Sequence, residues 1–296
     1  MTDRSGPVDD GHRDGDRRRD AGGRSAHASD GVLVAEDLVL AYPDSDAPVI
    51  DGVTHGFPEG RVTALVGPNG SGKSTLLRGL AGRLEPRSGT VALRDRPLDD
   101  YGDRERAREL ARLPQEPTAP DGISVEELAY HGRYPHRGFL DTVDDADVAA
   151  VDRAVGLVGI GHLRDRPLAD LSGGQRRLAW VAMVLAQEAD VLLLDEPTTF
   201  LDLRHQLAVM EVVRTLREDD ETTVVLVLHD VEQAARYADE MVVLHEGRIH
   251  ATGPPASVLE PAMLAEVFGI DAEVDDGRFG PRLTPIGPAD SAIGPR

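Results

Sequence analysis

The chain reads Gly67-Pro68-Asn69-Gly70-Ser71-Gly72-Lys73-Ser74-Thr75 at positions 67–75, and this stretch decides which fold the rest of the sequence can build. The residues before it, 61–66, alternate apolar and small side chains as a buried strand does. The residues after it place Leu76, Leu77 and Leu80 at helical spacing. The sequence therefore predicts a strand, a glycine-rich turn and a helix in direct succession.

Such a turn is suited to hold a phosphate group. Its glycines allow successive backbone N–H groups to converge on an anion, and the positive end of the new helix adds to the attraction. The spacing fits the phosphate-loop pattern GxxxxGKS, in which Lys73 meets the β- and γ-phosphates of a nucleotide and Ser74 ligates Mg²⁺. Lys73 is the only lysine of the chain, and the wide planar fork of an arginine would fit poorly there. The alternative is a glycine turn that only joins a strand to a helix.

Length and composition indicate a globular chain. Its 296 residues suit one large domain or two smaller ones, and 40% hydrophobic residues suffice for a buried core. No stretch approaches the roughly 18 consecutive apolar residues of a membrane span, and the charged N-terminus lacks an apolar signal core. We therefore expect neither a spanning segment nor export. The absence of cysteine excludes disulfides, thiolate catalysis and zinc–cysteine sites, which fits the cytoplasm.

The net charge of −21 belongs mainly to the globular part of the chain. Residues 1–31 carry seven Asp and six Arg, which leaves −20 on the remainder. An acidic surface repels nucleic acid and anionic lipid headgroups, so we expect no nucleic acid among the partners. The acidic surface and the single lysine also resemble the composition of proteins that work in high salt, where screening tolerates such charge.

The sequence divides into three parts. Residues 1–31 have almost no large apolar side chains and are predicted to be a disordered tail, in which His12 and His27 lack the regular spacing of a metal site. Residues 32–276 form the predicted globular domain. Residues 277–296 contain several Pro and Gly and are expected to be a loose C-terminal tail.

Strands and helices alternate within the globular part. Strands predicted at 32–40 and 89–93 lie before and after the phosphate loop and suggest a small antiparallel lobe. Residues 116–187 are predicted to form a helical subdomain, in which Ser124 begins a capping box and Asp144 caps a second helix.

Apolar runs follow the helical region. Residues 191–194 and 223–228 are almost continuously apolar, which suits parallel strands covered on both faces. The predicted fold class is therefore α/β, with a mainly parallel phosphate-loop core sheet, an antiparallel β lobe and an inserted helical subdomain.

Two carboxylates end the first of these apolar strands. Asp195 and Glu196 follow residues 191–194, and the carboxyl end of a parallel strand faces the same crevice as the phosphate loop. Asp195 is then placed to hold the Mg²⁺ shell, and Glu196 to polarise the water that attacks the γ-phosphate. Without the phosphate loop, the pair would read as two ordinary loop carboxylates.

The segment Leu171-Ser172-Gly173-Gly174-Gln175 begins another helix at which an anion can bind. Ser172 and Gln175 are spaced as a capping box, and the first turn offers free N–H groups beside glycines. Capping alone would also explain the serine. The full pentapeptide, shortly before the Asp-Glu pair, resembles the signature motif of ABC ATPases.

This resemblance covers nearly all of residues 32–270 and implies further site residues. Tyr42 matches the aromatic residue that stacks on adenine, and Gln115 matches the glutamine that couples the Mg²⁺ site to the helical subdomain. His229 matches the switch histidine that contacts the γ-phosphate, and Asp202 fits the loop that touches a partner subunit. Taken alone, Tyr42 could equally be a packed strand-end aromatic, and His229 a core histidine.

The resemblance implies ATP and Mg²⁺ as cofactors. The implied catalytic residues are Lys73, Gln115, Glu196 and His229. The implied Mg²⁺ ligands are Ser74, Gln115 and Asp195. The implied ATP-binding residues are Tyr42, Gly67, Pro68, Asn69, Gly70, Ser71, Gly72, Lys73, Ser74, Thr75, Ser172, Gly173, Gly174 and Gln175.

The resemblance also implies a homodimer. The phosphate loop and the helix that begins after Ser172 belong to different subdomains, so one chain is not expected to enclose a nucleotide with both. In ABC ATPases, two head-to-tail subunits hold two ATP molecules, each between the phosphate loop of one subunit and the signature segment of the other. ATP then favours the closed dimer, and hydrolysis releases it.

A basic and aromatic tract at residues 130–138, Tyr-His-Gly-Arg-Tyr-Pro-His-Arg-Gly, resembles the corresponding stretch of importer ATPases for iron-siderophore, heme and cobalamin complexes. Residues 230–239, 253–255 and 267–269 resemble that subfamily as well. The implied function is the ATP-hydrolysing subunit of an iron-chelate importer. It would work at the inner face of the cell membrane with a separate permease and, indirectly, an extracytoplasmic binding protein. The alternative for the tract itself is a solvated basic surface loop.

Two departures and several rival functions remain. The loop at 43–47 is more acidic than is common in the family, and Phe200 replaces a small polar residue before Leu201-Asp202. A soluble ABC ATPase that acts on DNA or ribosomes is the main rival, but the chain has no long coiled-coil insertion or second ATPase domain. An ABC importer subunit for another cargo is a further alternative. A phosphate-loop kinase would not need the signature segment. An inactive regulatory subunit would not need Glu196 and His229.

Overall fold

The structure, a computed structural model, describes residues 31–138, 141–219 and 221–289, where the chain forms three β-sheets. The strands are β1 (Leu33–Leu40), β2 (Ile50–Phe57), β3 (Val62–Val66), β4 (Ser88–Leu93), β5 (Arg96–Pro97), β6 (Leu110–Leu113), β7 (Val191–Leu194), β8 (Thr223–Val227), β9 (Glu240–His245), β10 (Arg248–Gly253), β11 (Ile270–Gly277) and β12 (Gly280–Pro288). The helices are α1 (Lys73–Leu80), α2 (Asp103–Glu109), α3 (Val125–His131), α4 (Asp145–Leu157), α5 (Gly173–Ala186), α6 (Leu203–Asp219), α7 (Val231–Tyr237), α8 (Pro255–Val258) and α9 (Pro261–Met263). Within the described ranges, no helix has the length and apolar character needed to cross a bilayer.

The largest sheet has six strands in the order β10-β9-β3-β8-β7-β6, and only the β10–β9 pair is antiparallel. β3, β7 and β8 are buried along their whole length, as their apolar runs predict. Because the parallel strands point the same way, the segments that follow β3, β6, β7 and β8 meet along one edge. Those segments carry the phosphate loop, Gln115, the Asp-Glu pair and His229.

Alternate side chains of the core strands enter two different hydrophobic clusters. Val66 and Leu194 pack on the face covered by the helical subdomain, whereas Leu65 and Leu193 pack with α1 and the antiparallel lobe. The sheet is therefore covered on both faces, which explains why its strands are apolar at successive positions. Full burial of one such leucine stabilises the fold by about 1.5–3 kcal/mol.

The antiparallel lobe is a four-stranded sheet in the order β2-β1-β4-β5. β1 and β4 coincide with the strands predicted at 32–40 and 89–93, whereas β2 was not predicted. The lobe lies close to α1, because a Cβ at Gly79 would stand only 2.4 Å from Leu40 Cδ1. Glycine at this position thus lets the lobe approach the helix that begins at the phosphate loop.

The helices α3, α4 and α5 lie within the range expected for the helical subdomain. Ser124 Oγ accepts a hydrogen bond from the Glu127 amide at 3.2 Å, and the Ser124 amide donates to Glu127 Oε2 at 2.8 Å. Asp144 Oδ1 likewise accepts from the Asp147 amide at 2.8 Å. Both predicted caps are present, and the apolar faces of these helices join the cluster beneath the core sheet.

The C-terminal region differs from the expected loose tail. β12 pairs with β11 in an antiparallel hairpin, and the Leu283 amide donates to Glu232 Oε1 of α7 at 2.8 Å. β12 was not predicted because it contains prolines at 281, 285 and 288. Each strand of a two-stranded sheet has one edge without a hydrogen-bonded neighbour, and that edge tolerates proline. Residues 290–296 and most of the predicted N-terminal tail, with its two histidines, lie outside the described residues.

Candidate nucleotide site

The phosphate loop connects the end of β3 to the start of α1, as predicted. Gly67, Gly70 and Gly72 adopt positive φ angles of 148°, 82° and 102°, which curl the backbone between strand and helix. At Gly67 no other residue fits, because a Cβ would lie 2.1 Å from the carbonyl oxygen of Leu244 in β9. The loop therefore forms a backbone cradle fixed by the core sheet.

Lys73 is the cation of this cradle. Its side chain is only 5% exposed, and its ammonium donates to the carbonyls of Gly67 and Pro68, both at 2.8 Å. Burial lowers the pKa of Lys73, while the charges of Glu196 and Asp195 oppose this shift. An ammonium has three donors, so a third hydrogen bond remains available to a ligand in the loop.

Ser74 and Asp195 meet beside the loop. Ser74 Oγ donates to Asp195 Oδ1 at 2.7 Å, although the two residues belong to different segments of the chain. Asp195 is fully buried, and Arg112 Nη2 lies 3.4 Å from its other oxygen. A hydroxyl oxygen and a carboxylate oxygen thus lie side by side next to the phosphate cradle. Oxygen ligands of this kind suit Mg²⁺.

Glu196 lies at the centre of a hydrogen-bonded group. Its Oε2 accepts from Gln115 Nε2 at 2.8 Å and from Thr199 Oγ1 at 3.1 Å, and its Oε1 lies 2.7 Å from His229 Nε2. The residue has φ +49°, a left-handed conformation that costs a non-glycine residue about 1–3 kcal/mol. The surrounding contacts therefore hold the carboxylate in one orientation, with the partly exposed His229 on its open side.

Tyr42 joins the antiparallel lobe to the phosphate-loop helix. Its hydroxyl lies 3.1 Å from Thr75 Oγ1 and accepts a hydrogen bond from Arg78 Nη1 at 2.9 Å. The ring is partly exposed beside the first turn of α1. The structure therefore places Tyr42 near the phosphate loop, in a partly exposed position.

The signature segment caps α5. The Gln175 amide donates to Ser172 Oγ at 3.2 Å, and the Ser172 amide donates to Gln175 Oε1 at 3.1 Å. A Cβ at Gly174 would stand 2.7 Å from the His205 ring, whose Nδ1 lies 2.7 Å from Asp202 Oδ1. Among the described residues, no hydrogen bond joins this segment to the phosphate loop of the same chain.

Comparison with known proteins agrees with this geometry. Residues 50–199 match the sequence pattern of the family described as ABC transporter. The chain belongs to the ABC transporter family. A relative from Bacillus subtilis, the "Probable siderophore transport system ATP-binding protein YusV", is 43% identical over 85% of this chain and 91% of its own length. The "Ferric enterobactin transport ATP-binding protein FepC" of Escherichia coli is 41% identical over 86% of this chain and 94% of its own length.

A solved structure supports the same assignment. A solved structure described as "An inward-facing conformation of a putative metal-chelate type ABC transporter" matches with a TM-score of 0.74 and 25% identity. The match covers 88% of this chain and 99% of that chain. The expected family and fold class are confirmed, and this ABC ATPase binds ATP as its family does.

In this ABC ATPase, the structure brings most of the predicted site residues together at one edge of the core sheet. Ser74 bonds Asp195, and Gln115 and His229 both contact Glu196. The charges of Asp195 and Glu196 act on the pKa of Lys73. Tyr42 joins the same group through Thr75. Ser172, Gly173, Gly174 and Gln175 lie apart, at the start of α5.

Sequence reasoning missed three polar residues of the site, namely Thr199, Arg112 and Arg177. Thr199 bonds Glu196, and Arg112 lies beside Asp195. Arg177 is buried, and its guanidinium donates to the backbone carbonyls of Asp195 and Glu196. The sequence gives no clear signal for Arg177, because it follows Gln175 and Arg176 in the polar first turns of α5, before the apolar residues 178–186.

The basic tract at 130–138 is only partly a surface loop. Arg133 is buried, and its guanidinium contacts Asp147 at 2.9 Å and Glu188 at 2.7 Å. His131 and Tyr134 stack with ring centroids 4.8 Å apart, and Tyr134 is exposed. The solvated-loop alternative therefore does not describe Arg133, which ties the tract to α4 and to the segment after α5.

Proposed function

We propose that the chain is the ATP-hydrolysing subunit of an importer for an iron chelate, such as a siderophore or heme, or for cobalamin. It would act at the inner face of the cell membrane on a separate permease, which receives its cargo from an extracytoplasmic binding protein. The observation that carries the proposal is the Glu196 carboxylate, held by Gln115, Thr199 and His229 next to the Ser74–Asp195 pair. The siderophore-transport names of the relatives support the choice of cargo.

The phosphate loop would bind the triphosphate of ATP. Backbone amides of the loop would donate to phosphate oxygens, and Lys73 would exchange its contacts with loop carbonyls for phosphate oxygens. Ser71 Oγ is buried and has no hydrogen-bond partner among the described residues, so it too is free to bond a phosphate oxygen. Tyr42 would stack on the adenine.

Mg²⁺ would be held beside this cradle. Ser74 Oγ and Asp195 Oδ1 are hard oxygen ligands that already converge, and Gln115 can add an amide oxygen. When bound, the ion would neutralise the charge that develops on the β- and γ-phosphates.

Glu196 would orient and polarise the attacking water. Its Oε2 is occupied by donors from Gln115 and Thr199, so Oε1 on the His229 side is the oxygen available to a water. His229 would sense the γ-phosphate because its ring is partly exposed while its Nε2 contacts the carboxylate. These contacts give the side chain one orientation before the substrate arrives.

Two copies of the chain would complete the site. Within the described part of the chain, the amides and hydroxyl at Ser172 form no hydrogen bond with the phosphate loop, and they would bind the γ-phosphate held by a second copy. Phe200 is 94% exposed close to Asp202 in sequence, and Leu203 is also exposed. Such apolar side chains on the surface support a contact with a partner there.

Co-purification and uptake test the function together. Tagged chain recovered from its own host should carry a membrane permease with it, and deletion of the chain should abolish uptake of a labelled iron chelate. Restoration by the wild-type chain but not by Glu196→Gln would tie uptake to hydrolysis. Recovery of ribosomes or DNA instead of a permease would favour the soluble ABC ATPase.

A further inference from the structure

Arg177 is a buried arginine near the site that no sequence motif explains. It is the fifth residue of α5 and is 8% exposed. Its guanidinium donates to the backbone carbonyls of Pro114 (3.0 Å), Gln115 (3.0 Å), Asp195 (2.8 Å), Glu196 (2.9 Å) and Pro197 (3.3 Å). Since an arginine has five N–H donors, all of them are used.

The five acceptors belong to two segments that are distant in sequence. Residues 114–115 follow β6, and residues 195–197 follow β7, its parallel neighbour. The side chains of Gln115 and Glu196 meet at 2.8 Å across the gap between these segments. Arg177 therefore fixes the spacing of the two backbones that carry the two ends of this hydrogen bond.

Glu196 needs such support. Its φ of +49° is a conformation that a non-glycine residue keeps only when neighbouring contacts over-determine it. Arg177 bonds the carbonyl of Glu196 itself and those of the residues on either side. Without these bonds the turn has fewer restraints, and a small shift of a catalytic carboxylate is costly for the rate.

The contacts of Arg177 are an unusual use of a buried charge. Among the described residues its hydrogen-bond partners are all backbone carbonyls. Burial lowers the pKa of Arg177, and the charges of Asp195 and Glu196 oppose that shift. An apolar side chain at this position would leave the five carbonyls without these donors, so Arg177 both satisfies the carbonyls and joins the two segments that carry them.

We propose that Arg177 is a positioning residue for ATP hydrolysis. Its hydrogen bonds connect α5 to the two segments that hold Gln115 and Glu196. The signature segment lies at the start of the same helix. The orientation of the catalytic carboxylate and the position of Ser172 are thereby coupled within one subunit. This inference rests on the proposed function, and it assigns Arg177 to turnover because none of its five bonds involves the phosphate loop.

Arg177→Lys tests the inference directly. Lysine has three donors at one point, so at least two of the five carbonyls lose their partner while the positive charge stays. We expect kcat for ATP hydrolysis to fall by about tenfold or more, with KM and the Kd for ATP changed by less than about twofold. Arg153→Lys, at an exposed arginine of α4, is the matched control and should keep the wild-type rate. A raised KM at unchanged kcat would overturn the inference.

A double-mutant cycle separates positioning from general weakening of the fold. If Arg177 acts through the contact between Gln115 and Glu196, Arg177→Lys should slow a Gln115→Ala variant far less than it slows the wild type. Multiplicative loss of kcat in the double variant would show that Arg177 acts elsewhere, and would overturn the assignment.

Folding and the proposed function are checked in the same samples. Thermal melting and ATP binding should show folded, binding-competent Arg177→Lys protein. If this variant and Arg177→Met both fail to fold, Arg177 is a stability residue and the inference is overturned. A wild-type chain that neither binds nor hydrolyses ATP would refute the proposed function, whereas normal wild-type turnover with an unaffected Arg177→Lys would refute this inference alone.

Discussion

Lys73 supplies the positive charge that the proposed ATP site needs to bind phosphate. Its ammonium is buried and bonded to carbonyls of its own loop, and no carboxylate of the described residues forms a hydrogen bond with it that a phosphate would have to displace. Removal of a buried charged donor costs about 2–5 kcal/mol of binding energy. We therefore expect Lys73→Ala to lower kcat/KM for ATP by about 100-fold or more, measured by steady-state ATPase assays.

The control for Lys73→Ala is Arg104→Ala, which removes an exposed cation of α2. Lys73→Arg should also fail, since a planar guanidinium cannot reach into the cradle as a compact ammonium does. Wild-type ATPase activity in Lys73→Ala would contradict the phosphate-loop assignment.

Glu196 separates binding from hydrolysis. Glu196→Gln keeps the size of the side chain but removes the charge that polarises water, so kcat should fall by about 10²–10⁴-fold while ATP still binds. The variant should then accumulate as an ATP-bound dimer on size-exclusion chromatography. Glu218→Gln is the matched control, because its carboxylate lies on the surface of α6 in a salt bridge with Arg214. A monomeric and fully active Glu196→Gln variant would remove Glu196 from the mechanism.

At the scale of elements, two helices share one capping motif and differ in function. Ser124 caps α3 and Ser172 caps α5, each bonded to the amide three residues on. Either serine replaced by alanine should destabilise the fold by about 1 kcal/mol, a shift of a few degrees in melting temperature. Only Ser172→Ala should also slow ATP hydrolysis, because only that hydroxyl is proposed to meet a nucleotide. Equal rates of ATP hydrolysis for the Ser124→Ala and Ser172→Ala variants would show that Ser172 only caps its helix.

The elements that the sequence predicts correctly are those with a strong local signal. β3, β7 and β8 are continuous apolar runs that end at the phosphate loop, at Asp195 and shortly before His229. β2 escaped prediction because Asp51, Gly52 and His55 interrupt its pattern. β12 escaped because its prolines indicate a loop, and only its pairing with β11 makes it a strand.

The site shows the same division between local and long-range information. Lys73 and Ser74 stand in a motif whose spacing carries the chemistry, and Gln115 and His229 could be placed by resemblance to a family. Arg177 could not be placed, because its acceptors at 114–115 and 195–197 come together only when β6 and β7 pair. Contacts of this kind are set by tertiary packing, which local patterns do not encode.

At the scale of the whole molecule, the net charge of −21 makes stability depend on salt. Repulsion among surface carboxylates destabilises the compact state, and the Debye length falls from about 10 Å at 0.1 M to about 3 Å at 1 M ionic strength. We expect the melting temperature to rise between 0.1 M and 1 M KCl. Sucrose at matched osmolality is the control for a general solute effect. A melting temperature that falls or stays constant would show that repulsion is not what limits stability.

The dimer is testable because the chain contains no cysteine. Asn69 and Gly173 are exposed, and a Cβ at Gly173 would meet no atom within 4 Å, so cysteine can be introduced at both positions. In the proposed head-to-tail pair, position 69 of one copy would lie beside position 173 of the other. A mixture of Asn69→Cys and Gly173→Cys chains, both carrying Glu196→Gln, should therefore crosslink with a short thiol reagent when ATP and Mg²⁺ are present.

Each single-cysteine chain alone supplies the control, since head-to-tail geometry keeps like positions apart. Non-reducing gels should show a band near twice 31.8 kDa only for the mixture, and ADP should weaken it because ADP lacks the γ-phosphate that the signature segment would bind. A head-to-head arrangement would instead give crosslinks in the single-cysteine samples, and the mixture would show no more crosslinked product than those samples do. In that arrangement Ser172 of one copy would not reach the nucleotide of the other, so the signature segment would have no part in hydrolysis. The proposal of a shared ATP site would then be refuted.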